Sequence, residues 1–306
     1  MTQAQKYIWL IETLLGAGQL TLEEINQRWK RNSSLSSCEG IHRSTFVRWR
    51  DEIRDMFGVV IDCKRIGGYH YFIANPEAIR EDQLRGWMFD SLSVGNLISE
   101  NLALNNRILV DRIPSGREHL KTIIDGMRDN RRVIITHRGF DKEEASEYPI
   151  EPYCLRLSDN RWYVLGKNNH GQIRIYGLDR IEEAKLTDVS FHLPKKFNPE
   201  DYFSRYYGVV MDHTVKPTRI VIRANEYHKH YMMSLPLHHS QVLLEDAGEY
   251  ADFEFFLAPT YDFVMKLLQF GNLIEVLRPK SLRLTLKEWI SDMHDLYKDD
   301  EDDKNV

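Results

Sequence analysis

Cysteine is scarce in this chain. Its three cysteines, Cys38, Cys63 and Cys154, are odd in number and widely separated. That supports neither a disulfide framework nor the paired spacing of a zinc site, so reduced, structural cysteines are expected. Long apolar runs are missing as well. Nothing approaches the ~20 apolar residues that a membrane-crossing helix needs. The opening Met1-Thr2-Gln3-Ala4-Gln5-Lys6 leads into an amphipathic pattern, without the apolar core and small-residue cleavage site of a signal peptide. A cytoplasmic protein with no membrane partner is the expectation. Nor is there an excess of positive charge. A formal net charge of −5 argues against a chain that coats nucleic acid over its whole surface, because phosphate binding depends on accumulated cations. A local basic face remains compatible, since residues 1–75 hold ten Lys or Arg against eight Asp or Glu. The end, Lys298-Asp299-Asp300-Glu301-Asp302-Asp303-Lys304, is acidic, and 293–306 reads as a solvated, disordered tail. Finally, no Walker loop, dinucleotide fingerprint, metalloprotease helix or nucleophile elbow is present. The paired acids Asp51-Glu52 and Glu182-Glu183 are adjacent, so they point apart on a helix or strand. The chain is therefore read as non-enzymatic, with no catalytic residue, cofactor or metal.

What is there is a globular composition, 42% hydrophobic and 28% charged, in 306 residues, enough for two or three domains. From Gln3 to Leu15 the residues Tyr7, Ile8, Ile11, Leu14 and Leu15 recur at helical spacing, until Gly16-Ala17-Gly18 stops the pattern. Thr21-Leu22-Glu23-Glu24 has the form of a capping box, opening a second helix with Leu22, Ile25 and Trp29 on its inner side. The Ser-rich stretch 32–40 reads as a loop. A third helix, capped by Ser44 or a residue just before it, runs to about Phe57 with Phe46, Trp49, Ile53 and Phe57 as its apolar stripe. The period then becomes that of strands over 59–64 and 69–73, joined through Arg65-Ile66-Gly67-Gly68.

Three helices followed by a hairpin is the order of a winged helix, which would place the third helix in the major groove of a double-stranded DNA operator. Arg43, Ser44, Thr45 and Arg48 lie off the apolar stripe near the start of that helix. Arginine forks onto guanine edges or phosphates, while hydroxyls hold phosphates. Lys64 and Arg65 would act in the same way from the wing.

Residues 76–130 read as a helical connector, through 79–104 and 116–127 with Pro114 between them; a homodimer is expected, its contact made either by this connector or by the C-terminal domain. Over 131–192, five short strands at 132–137, 148–157, 161–167, 172–177 and 181–189 suggest a small β-barrel. Alternation puts Ile173 and Ile175 on one face, taken as the core face. Arg174 and Tyr176 then share the other, with Arg180 following. Beyond a linker at 193–215, residues 216–292 alternate strands (219–222, 250–257) with helices (225–231, 260–268), an α+β layering of ferredoxin-like type.

The central segment resembles the WYL-domain family of bacterial transcriptional regulators. The likeness rests on Arg161-Trp162-Tyr163-Val164-Leu165-Gly166, on Glu151-Pro152-Tyr153, and on Arg174-Ile175-Tyr176-Gly177-Leu178-Asp179-Arg180-Ile181. It extends to Leu235-Pro236-Leu237-His238-His239-Ser240-Gln241 and to Phe270–Pro279, which are similar to the family's C-terminal WCX extension. The resemblance implies an α+β multidomain chain in the order winged helix, helical connector, Sm-like or SH3-like barrel and WCX-like domain. It also implies a ligand-sensing barrel, whose ligand would be nucleic acid, especially single-stranded DNA, or another phosphate-bearing effector. His137, Trp162, Tyr163, Arg174, Tyr176 and Arg180 are its candidate ligand residues, the arginines for phosphate and the rings for stacking. Two positions depart from the family pattern: Val164 stands where the motif has Leu, and His137 where many members have Tyr, which exchanges a phenol for a titratable imidazole. Trp162 also fits a purely structural place in a small barrel. The alternatives are a metal- or small-molecule-responsive regulator, prompted by His228, His230, His238 and His239, and a nucleic-acid-processing enzyme.

Overall fold

The computed structural model describes residues 2–31, 39–65, 67–100, 107, 116–139 and 144–298. Cys38, most of the Ser-rich loop, Pro114 and the acidic run from Asp299 lie outside the described residues. The chain divides into two compact units, Met1–Asp111 and Arg112–Val306.

The first unit contains α1 (Gln3–Ala17), β1 (Leu20–Thr21), α2 (Leu22–Arg31), α3 (Arg43–Phe57), β2 (Ile61–Lys64), β3 (His70–Ile73), α4 (Ala78–Glu81) and α5 (Gln83–Glu100). Helix α1 ends at Gly18, which takes φ 77°, a conformation that costs glycine little. The capping box forms: the Thr21 amide donates to the Glu24 carboxylate at 2.8 Å, and the Glu24 amide to the Thr21 hydroxyl at 3.2 Å. Helix α3 starts one residue earlier than Ser44, with His42 at its cap position and no side-chain cap; His42 Nδ1 meets the Ser44 hydroxyl at 2.9 Å instead. The apolar stripes of the three helices share one core, with Ile8, Ile11, Leu14, Ile25, Phe46, Ile53 and Phe57 fully buried. Edge-to-face contacts Trp9–Trp29, Trp29–Trp49 and Tyr7–Trp49 link the helices, a geometry that favours ring quadrupoles. The strands make an antiparallel sheet of order β1-β3-β2. Helix α5 closes the unit: Phe89 is buried against Phe57, and the Asn96 side-chain amide donates to the Gln5 carbonyl at 3.0 Å.

The second unit begins with α6 (Arg117–Asp129), followed by β4 (Arg131–His137), β5 (Ser146–Ser158), β6 (Arg161–Asn168), β7 (Ile173–Gly177) and β8 (Ile181–Ser190). These five strands form an antiparallel sheet of order β7-β6-β5-β4-β8, with a 3-10 turn at Leu178–Arg180 leading from one edge strand to the other. Helix α6 covers one face. Its Ile123 is buried with Val133, Ile135, Ile150, Val164, Leu178 and Ile181. Segment 76–130 is thus not one connector, because α5 belongs to the first core and α6 to the second. Helical periodicity marks an apolar face without saying which core receives it.

The stretch expected as a linker is structured. It carries α7 (Pro199–Phe203), and the Tyr202 and Tyr206 hydroxyls each lie 3.2 Å from the His213 ring. Then come β9 (Thr218–Asn225), α8 (His228–Ser234), β10 (Val242–Asp246), β11 (Tyr250–Leu257), α9 (Tyr261–Gln269), β12 (Ile274–Arg278) and α10 (Lys280–Leu296). The antiparallel order is β10-β11-β9-β12, over a core of Ile220, Ile222, Phe253, Phe255 and Phe263. Asp262 in the first turn of α9 accepts from the Val209 and Val210 amides, both at 2.7 Å, and fastens the stretch before β9. The tail expected from residue 293 begins later, since α10 remains helical through Leu296. No described helix is long and apolar enough to cross a membrane.

Candidate nucleic-acid interface and the faces of the central sheet

In α3, burial of Phe46, Trp49, Ile53 and Phe57 settles which side faces away from the core. At 100° per residue, Ser44, Val47, Arg48 and Asp51 occupy the opposite side. Arg43, Ser44 and Arg48 are exposed and Thr45 is half-buried, so the expected contact residues of α3 are at the surface. Arg50 has another task. Its Nε donates to the Ile61 carbonyl at 2.9 Å and its guanidinium lies 5.6 Å from the Tyr71 ring centre, tying α3 to the hairpin. Arg54 pairs with Asp51 and Asp55, each at 3.5 Å. On the hairpin, Lys64 and Arg65 are exposed, and the Lys64 ammonium lies 5.1 Å from the Phe72 ring centre. Sequence reasoning passed over exposed Val47 and Tyr69. For Val47 the available signal was its place one residue off the apolar stripe.

The central sheet sorts the candidate ligand residues by face. Directly paired residues of neighbouring strands project to the same side. Val164 pairs with Tyr176 and Gly166 with Arg174. Arg174 and Tyr176 do share a face, but it is the core face: Tyr176 is 6% exposed and belongs to the core with Val164 and Ile135. Ile173 and Ile175 lie on the other side and are half-buried. The expected assignment of the two faces is therefore reversed. Strand β7 carries apolar groups on both sides, and alternation alone could not tell which side α6 would cover.

On the inner face, His137 is 8% exposed, and its ring centre stands 5.5 Å from that of Tyr176 and 6.5 Å from that of Tyr148. Tyr148 and Tyr176 are 6.0 Å apart, completing a three-ring cluster. Trp162, two residues from Val164, packs against the same core. Burial pushes the Tyr176 phenol above its ordinary pKa, with the Arg174 charge opposing. Arg174 itself is exposed, donating to the Gln172 side-chain carbonyl at 3.1 and 3.3 Å.

Tyr163 lies on the outer face, opposite Arg156 and Gly177. A Cβ added to Gly177 would stand 3.3 Å from Arg180 Nε, which places that guanidinium on Tyr163's side. Arg161 pairs with Asp179 there at 3.5 Å. Burial raises the Tyr163 pKa, and the Arg161 and Arg180 charges oppose it. The structure thus brings His137, Trp162, Arg174 and Tyr176 together on one face, with Tyr148 added, and Tyr163 and Arg180 on the other. Nothing in the sequence around Tyr148 distinguishes it from any strand tyrosine.

Of the histidines that prompted a metal alternative, His228 packs on Phe270 with ring centres 4.5 Å apart, and His238 Nδ1 accepts from the Ser240 amide at 3.3 Å. Among the described residues, no group of three His, Cys, Asp or Glu side chains is placed to hold a metal ion.

Compared with known proteins, the chain matches the family profile of the WYL domain over residues 118–186. No curated protein sequence matches it. Among solved structures it is similar to proteasome accessory factor B/C (PafBC) of Arthrobacter aurescens, at 14% identity and a TM-score of 0.38, over 96% of this chain and 47% of the other. It is also similar to a CRISPR Cas-related protein, at 10% identity and a TM-score of 0.38, over 87% of this chain and 76% of that one. The chain spans about half the length of PafBC, and neither likeness is close enough to assign the architecture of the whole. The profile match is local and specific. It runs from α6 through β4, β5, β6 and β7 into β8, across the Arg161-Trp162-Tyr163 strand and the Arg174–Arg180 segment, so that this segment of the chain matches a WYL domain.

Proposed function

We propose that this protein is a DNA-binding transcriptional regulator, acting without catalysis, whose WYL domain senses an anionic ligand. In this reading the first unit is a winged helix with α3 as its recognition helix and the β2–β3 hairpin as its wing. The five-stranded sheet is an Sm-like barrel, and the β9–β12 layer with its helices is a ferredoxin-like, WCX-type domain. The working form is a cytoplasmic homodimer that sets two recognition helices about 34 Å apart on duplex DNA. The observation that carries the proposal is the outward face of α3. Arg43, Ser44 and Arg48 stand exposed at the start of a helix whose opposite side is wholly committed to the core. Such residues contact phosphates and guanine edges.

Replacing Arg43 and Arg48 together with alanine tests it. Duplex binding is expected to collapse, and the salt dependence of what remains to fall by roughly 0.9 in log–log slope for each phosphate that is no longer neutralised. Binding equal to wild type would overturn the placement of the recognition helix.

The ligand class is nucleic acid, single-stranded DNA first, because exposed Arg174 shares a face with half-buried Tyr148, which combines a phosphate partner with a ring edge open to stacking. Arg174→Ala is expected to abolish the response of operator binding to added single strands while duplex binding survives. Arg180→Ala reports on the outer face in the same assay. A response that survives both substitutions removes the barrel as the sensor.

A further inference from the structure

We infer that Val47 is a base-specificity residue of α3 that reads the 5-methyl group of a thymine; this rests on the DNA-binding reading above. The buried stripe of α3 fixes the rotation of the helix. Phe46, Trp49, Ile53 and Phe57 are each 3% exposed or less, and Val47 emerges on the other side with Ser44, Arg48 and Asp51. Among these four it has no polar group, and 47% of its surface is left in water.

A lone exposed valine is ordinary on a protein surface. The setting of this one is what matters. Helix propensity would favour alanine there, since a β-branched side chain loses rotamer freedom against the preceding turn, and Val47 is not among the described residues that build the first unit's core. Its chain neighbour Arg48 is suited to fork onto guanine O6 and N7. One turn further on, Asp51 carries a carboxylate 3.5 Å from Arg54. A carboxylate is repelled by phosphates but accepts from the cytosine amino group, so this part of the face suits base edges and not backbone. A valine held in one rotamer between those two side chains offers rigid methyl groups at the depth of the base edges. The apolar feature that a base pair presents in the major groove is the thymine methyl. The site favoured by α3 therefore contains a thymine beside the guanine read by Arg48.

The test removes that methyl and nothing else. Duplexes are selected from a random pool with the full chain, and the enriched site is resynthesised with each thymine replaced in turn by deoxyuridine. At one thymine, wild-type affinity is expected to fall about four-fold, the factor that burying one methyl group supplies. Val47→Ala is expected to bind the thymine and uracil duplexes alike. Alanine raises helix propensity at this exposed position, so the variant should fold, which its thermal melt checks. The double Arg43→Ala, Arg48→Ala variant runs alongside. If it binds like wild type, the DNA-binding reading itself fails. If it loses binding while uracil is silent at every position, or while Val47→Ala still prefers thymine, then the inference about Val47 alone is overturned.

Discussion

Gly126 sits in α6 where that helix crosses β4, and a Cβ there would stand 2.6 Å from Val133 Cγ2 and 3.1 Å from the Arg131 carbonyl. Val133 is fully buried, so neither neighbour has room to give. Gly126→Ala should lower the stability of the second unit by roughly 1–3 kcal/mol, the usual cost of overpacking, although alanine gains about 1 kcal/mol in helix propensity. Gly16, in the last turn of α1, has nothing within 4 Å of an added Cβ. Gly16→Ala should stabilise the first unit by about 0.5–1 kcal/mol. Urea unfolding of the two variants should give opposite signs, and a stabilised Gly126→Ala would refute the packing assigned to α6.

At the same scale, His238 is held at a pKa of about 4, below its ordinary 6.5, chiefly by burial and then by His239 and Arg156, against the Ser204 carbonyl that accepts its proton. Its Nδ1 is the acceptor for the Ser240 amide, which requires the neutral ring. The unfolded chain therefore takes up this proton first as pH falls. The stabilisation is complete above pH 6.5 and is lost progressively toward pH 4, with a ceiling of about 3 kcal/mol. A His238→Gln variant should show a flatter stability profile across that window; an unchanged profile would show that another group titrates there.

At the scale of elements, the Thr21–Glu24 capping box satisfies amides that the first turn of α2 would otherwise leave unpaired. Thr21→Ala should cost the first unit about 1 kcal/mol, read as a lower urea midpoint at constant slope. That box was legible in four residues, and so were the stripes of α1, α2 and α3, because a 3.6-residue period recurs over enough turns to stand out. The five strands of the central sheet were legible for a related reason, being bounded by turn residues such as Asp159 and Asn160, both of which adopt positive φ. What escaped was short or depended on partners. Strand β1 has two residues, a single period with no repeat to recognise. Alternation in β7 correctly paired Arg174 with Tyr176 but could not choose the face, since that choice lies with α6, about fifty residues earlier. The same limit applies to the site: chemistry of side chains pointed to His137, Tyr176 and Arg174, while the separation of Tyr163 and Arg180 onto the other face needed the strand register.

For the whole molecule, the decisive boundary is the one between α5 and α6. A domain border at residue 75 looks natural in the sequence, since the hairpin ends there and a new helical period begins. Yet Phe89 of α5 is 8% exposed within the first unit's core, and Asn96 reaches back to the start of α1. A fragment of residues 1–75 would lose both, leaving the rings around Phe57 open to water. Deleting one buried phenylalanine side chain typically costs about 3–5 kcal/mol, comparable with much of the stability of a domain this size. A fragment of residues 1–111 keeps that core whole. It should unfold cooperatively, whereas residues 1–75 should be partly unfolded by circular dichroism and urea titration. The complementary fragment 112–306 retains α6 on its sheet together with the β9–β12 layer, and should bind single-stranded DNA through Arg174 without binding the operator. Equal stability of the 1–75 and 1–111 fragments would show that α5 serves the second unit or a partner instead of the first core.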